Sequence, residues 1–62
     1  MLIKFEVRMK RIYIFEKENN SIYVFVCCFD NIQDLQKSEY CLSDKQLNAL
    51  MSYRRLILKK VK

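Results

Sequence analysis

Three cysteines (Cys27, Cys28 and Cys41) and seven carboxylates are the residues of this 62-residue chain with any reach toward catalysis or metal binding. Histidine is absent, so the usual base at neutral pH is missing. Glycine is absent too, which excludes a phosphate-cradling loop of the P-loop type. Cys27 and Cys28 are neighbours on a strand pattern, point to opposite sides and cannot easily bridge each other. Three thiols without a histidine fall short of a four-ligand zinc site. The cysteines read as small buried apolar residues in a reducing compartment; an intersubunit disulfide or a metal shared between chains are the functional alternatives. The carboxylates are scattered, and Cys41 has no activating neighbour. The expectation is a non-enzyme with no catalytic residue, metal or cofactor.

The basic residues carry a second kind of chemistry. Net charge is +5, divided as +3 over residues 1–17, −4 over 18–44 and +6 over 45–62. Lys4, Arg8, Lys10 and Arg11 lie on or beside the outer parity of the first strand. Arg54, Arg55, Lys59 and Lys60 lie in the C-terminal segment. If the two groups adjoin, they form a patch able to attract phosphates or an acidic protein surface, and Tyr13 or Tyr23 can stack on bases. A solvated, solubilising face is the plain alternative.

The elements that must position these residues follow from periodicity. Leu2–Lys10 alternates Ile3, Phe5, Val7 and Met9 with charged residues, the pattern of a strand with one wet face. The alternation changes at Met9–Arg11, where either a bulge bends one long strand or a tight turn starts the next; the lack of turn chemistry favours the bulge. Arg11–Glu16 and Ser21–Phe29 form an antiparallel hairpin with its tip near Asn19-Asn20. Asp30 or Asn31 caps a short helix through Gln36, with Ile32 and Leu35 inward. Ser43 to Gln46 matches a capping box, with Leu42 and Leu47 as a hydrophobic staple. The helix it opens is expected from about Asp44 to about Lys60, with a stripe of Leu47, Leu50, Met51, Ile57, Leu58 and Val61. Arg54 falls in the middle of that stripe. Its head escapes to an edge, or pairs with Glu6, Glu16 or Asp34, or contacts a phosphate or acidic partner.

These elements make residues 1–62 a single α+β domain: a three-stranded antiparallel meander built on a hairpin, followed by one amphipathic C-terminal helix. The hairpin is apolar on both faces. One parity holds Ile12, Ile14, Ile22, Val24, Val26 and Cys28; the other holds Tyr13, Phe15, Tyr23, Phe25, Cys27 and Phe29. One helix shields one face, so a second copy is expected to pack on the other face or along an edge of the sheet, with Tyr13, Phe15, Tyr23, Phe25 and Phe29 at the interface.

The functional expectation is a small protein-binding, inhibitory homodimer. Abundant Lys, Asn, Ile, Tyr and Phe imply AT-rich codons, which suits an accessory protein of a phage or mobile element that blocks a host macromolecule. In size and composition alone it is similar to anti-CRISPR proteins. A basic nucleic-acid-binding dimer is the alternative, and a subunit of a larger complex or toxin–antitoxin pair is a third. No apolar run is long enough to span a bilayer, and Met1–Lys10 does not read as a signal peptide, so a cytoplasmic location without membrane contact is expected.

Overall fold

A computed structural model describes residues 1–18 and 21–59. The elements in chain order are β1 (Leu2–Arg8), β2 (Arg11–Lys17), β3 (Val24–Phe29), α1 (Ile32–Gln36), α2 (Asp44–Tyr53) and β4 (Arg55–Lys59). The strands form one antiparallel sheet in the order β3-β2-β1-β4. The fold is therefore α+β with four strands rather than three.

β1 and β2 pair with Phe5 opposite Ile14 and Val7 opposite Ile12, so one face of the pair is apolar. The residues between them form a two-residue turn, not the expected bulge in a continuous strand. Met9 and Lys10 both have positive φ, 48° and 68°. Two such residues give the twist that a tight antiparallel hairpin requires. Neither is Gly, Asn or Asp, so each costs about 1 kcal/mol or more. The apolar pairs Phe5–Ile14 and Val7–Ile12 offset that strain.

The irregularity lies instead in β3. Ile14 pairs with Cys27 and Phe15 with Phe25, which leaves Val26 as the extra residue of a bulge. The bulge reverses the parity of the strand. Cys27 and Phe29 turn to the core with Ile12 and Ile14, while Phe25 stays with Tyr13 and Phe15. The hairpin's two uniform faces, aliphatic and aromatic, are thus replaced by mixed ones. The expected tip at Asn19-Asn20 lies outside the described residues.

From β3 the chain crosses one face of the sheet. Asn31 caps α1, its side chain accepting from the Asp34 N–H at 2.8 Å, and Leu35 is fully buried. Gln36 then holds the connector: its side-chain N–H donates to the Leu42 carbonyl at 2.8 Å, and its Oε1 accepts from the Leu42 N–H at 2.7 Å. Tyr40 lies edge-on to Phe5 and tilted against Phe29, both with centroids 6.4 Å away. Its hydroxyl donates to Glu16 at 3.0 Å. The Ser43–Gln46 capping box forms in full. Ile3, Phe5, Ile12, Ile14, Leu35, Leu42 and Leu50 make the core.

α2 stops at Tyr53, short of the expected Lys60. Arg54 takes the left-handed conformation (φ 62°) at the helix C-terminus, and its carbonyl accepts from the Val7 N–H at 2.9 Å. Residues 55–59 then pair with the free edge of β1, Ile3 opposite Leu58 and Phe5 opposite Leu56. Leu56 and Leu58 alternate with Arg55, Ile57 and Lys59, a strand period that also fits a helical stripe in so short a stretch. Arg54 is exposed at the helix C-cap, so its charge needs no buried partner such as Glu6, Glu16 or Asp34.

Two outcomes test this description. Met9→Asn combined with Lys10→Gly relieves the turn and should raise stability by about 1–2 kcal/mol, read as a higher urea midpoint at unchanged slope. Burial and the Glu16 hydrogen bond push the Tyr40 hydroxyl up to about 12 from 10.0. Folding thus favours the protonated phenol, and its contribution is full below pH 10 and lost as pH rises toward 12. Tyr40→Phe should cost about 1 kcal/mol at neutral pH and flatten that alkaline decline in a denaturation series.

Candidate functional site

The helices cover one face of the sheet and leave the other open. Strand parity puts Lys4, Glu6 and Arg8 of β1 on the open face, with Arg11, Tyr13, Phe15 and Lys17 of β2. β4 adds Arg55 opposite Glu6, Ile57 opposite Lys4 and Lys59 opposite Leu2. The two groups of basic residues separated in sequence are therefore adjacent, joined by strand pairing and not by helix packing.

Aromatic rings occupy the β2–β3 side. Phe25 sits 6.2 Å from Tyr13 and 5.9 Å from Phe15, centroid to centroid, in tilted and edge-on arrangements. The Lys4 ammonium lies 5.0 Å from the Phe15 centroid and 4.5 Å from that of Tyr23; Lys17 approaches Tyr23 at 5.4 Å. Such cation–π contacts let lysine stems lie over apolar rings while their charge stays wet. Phe25 remains 53% exposed.

Glu6 is the acid of this face. It pairs with Lys4 at 3.4 Å and with Arg8. Desolvation would raise its pKa, but the hydrogen bonds and charges of Arg8 and Lys4 outweigh that and hold the carboxyl below the ordinary 4.5. At the edge, Arg11 pairs with Asp30 at 3.2 Å. With Arg11 answered by Asp30, Lys4, Arg8, Lys17, Arg55 and Lys59 stand against Glu6, so the face is positive.

Of the residues singled out from sequence, Lys4, Arg8, Arg11, Arg55, Lys59, Tyr13, Phe15, Tyr23 and Phe25 belong to this surface. Lys10 stands in the β1–β2 turn, and Arg54 is exposed beside it through the Val7 bond. Lys60 lies outside the described residues. Phe29 does not join the aromatic set: the Val26 bulge turns it to the opposite face, where it packs on the core. Sequence reasoning missed Ile57 as an open-face residue, because a helical stripe claimed it. It also missed Glu6 as the countercharge at the centre of the patch, although alternation already placed Glu6 with Lys4 and Arg8.

Cys27 is half-buried, and burial raises its thiol pKa, which suppresses the reactive thiolate. Cys28 and Cys41 are exposed and free, not the buried apolar residues expected, because the Val26 bulge and the connector before α2 leave them at the surface. Among the described residues no three His, Cys, Asp or Glu side chains gather to hold a metal ion. No described helix is long and apolar enough to cross a membrane. The chain matches no protein-family model, and neither a curated protein nor a solved structure matches it.

Because folding depresses the Glu6 pKa, its stabilising effect is full above the ordinary carboxylate range and lost as pH falls through it. Glu6→Gln should cost about 0.5 kcal/mol at neutral pH, the scale of a surface pair, and flatten the acid limb of stability against pH. Chemical denaturation between pH 3 and 7 checks this.

Proposed function

We propose that this chain is a non-enzymatic binding module whose open sheet face takes single-stranded nucleic acid. The observation that carries the reading is the cluster Tyr13–Phe25–Phe15, flanked by Lys4 and Lys17 and faced by the basic β4, on the side its own helices leave bare. Unstacked bases lie on exposed rings, each worth about 1–3 kcal/mol, while cations follow the phosphates. A four-stranded face is wider than a duplex groove, which admits a helix or a two-stranded ribbon. Bases already splayed out are what such a face can read.

The expected homodimer stacked through this face is less well supported. Two such surfaces face to face bring two positively charged faces together, a like-charge juxtaposition. A partner of opposite sign suits the face better. The second reading keeps the inhibitory role: an acidic protein surface docked on half-exposed Ile57, with Arg55 and Lys59 as its charged rim.

Fluorescence anisotropy with labelled oligothymidylate separates the two. Affinity should fall with salt at a log–log slope of about 0.7 per phosphate contacted. Tyr13→Ala and Phe25→Ala should each weaken binding about ten-fold or more without changing the salt slope. Arg55→Ala and Lys59→Ala should each lower the slope by about 0.7. No salt-sensitive retention of any single strand would overturn the proposal and leave the protein partner as the reading to pursue.

A further inference from the structure

The two edges of the sheet are unlike. β4 carries Arg55 and Lys59, the kind of charge by which edge strands avoid pairing with other chains. β3 carries none. Its sequence, Val24-Phe-Val-Cys-Cys-Phe29, is free of charge, and the uncharged run reaches back through Ser21, Ile22 and Tyr23. Ile22 is 80% exposed and Val24 60% exposed, beside a backbone edge that carries no strand among the described residues.

We propose that a second copy of this chain pairs antiparallel with the β3 edge, about a two-fold axis normal to the sheet. An interface of that symmetry sets the same patch against itself, so the patch must tolerate its own image. The uncharged edge does so, whereas the basic open face does not. A charged partner, by contrast, finds nothing on β3 to complement. The bulge at Val26 interrupts the strand, so the ladder is short and the exposed Ile22, Val24 and Val26 side chains supply much of the contact.

This geometry has a consequence for the site. A two-fold normal to the sheet keeps both open faces on the same side, so the Tyr13–Phe25–Phe15 clusters of two copies adjoin across the axis. The basic β4 strands then form the two outer rims. The pairing stands on the β3 edge alone; the claim that it builds one long binding platform rests on the nucleic-acid reading above.

Sedimentation and light scattering over a concentration series test the pairing. The full chain should approach twice its 7.6 kDa as concentration rises. Val24→Lys and Ile22→Lys should return the single-chain mass with unchanged circular dichroism, since both side chains are exposed. Ile57→Lys, on the opposite edge, should leave the doubled mass intact. A single-chain mass for the unaltered protein at the highest concentration overturns the proposal, as does a dimer that survives both β3 variants or is lost in Ile57→Lys. For the platform, short oligothymidylates should bind unaltered protein and Val24→Lys alike, and longer ones should gain at least ten-fold only with the unaltered protein. Equal gain in both refutes the shared platform. If no oligonucleotide binds while Val24→Lys still halves the mass, the pairing holds and the nucleic-acid reading fails.

Discussion

Pairing of β4 with β1 is the constraint on which the rest of this molecule depends. It gives the inner edge of β1 a partner, which a three-stranded meander would have left open. It also ends α2 after ten residues, because the chain must reverse at Arg54 to reach that edge. The left-handed Arg54 and its bond from Val7 mark the point where helix geometry yields to sheet geometry. Leu56 and Leu58 then complete the core beside Phe5 and Ile3, and Arg55 and Lys59 turn outward beside Glu6 and Leu2. One pairing thereby builds both the apolar interior and the basic rim.

A small chain has little apolar interior to spare, and domains of this size are marginal. Helices α1 and α2 with Tyr40 seal one face. The other is partly shielded by side chains of the sheet itself: Lys4 and Lys17 lie across Phe15 and Tyr23, and Phe25 packs its edge on its neighbours. Cation–π contacts of this kind contribute about 0.5–1 kcal/mol at exposed sites and cost little to break. A surface so covered is tolerable in water and still available to a ligand.

Strain and irregularity gather at the sheet's margins. Met9, Lys10 and Arg54, the residues with positive φ among those described, all flank one end of β1. The bulge lies in the edge strand β3. Each departure from ideal geometry serves a pairing: the turn sets the Phe5–Ile14 register, Arg54 admits β4, and Val26 lets Cys27 and Phe29 reach the core. A chain without glycine has to place ordinary residues in these conformations and recover the cost through burial.

Local pattern by itself determined β1, the hairpin strands, a helix cap at Asp30 or Asn31, the Ser43–Gln46 capping box and the division of Lys4, Glu6 and Arg8 from Ile3, Phe5 and Val7. Each is a matter of side-chain period or of bonds between residues three or four apart. From sequence Arg54 is a charge in the middle of a helical stripe and in need of a partner; only the structure makes it the residue at which the helix ends. Three matters were decided only in the tertiary structure: the sheet's fourth strand, the side to which Phe29 points, and the union of the two basic segments. Residues 55–59 satisfy helical and strand periods equally, and only the vacant edge of β1 chooses between them. The Val26 bulge changes which residues share a face, and no run of uncharged residues announces where a strand will take its extra residue. Both outcomes depend on pairings between segments distant in sequence, whose free energy no local pattern contains.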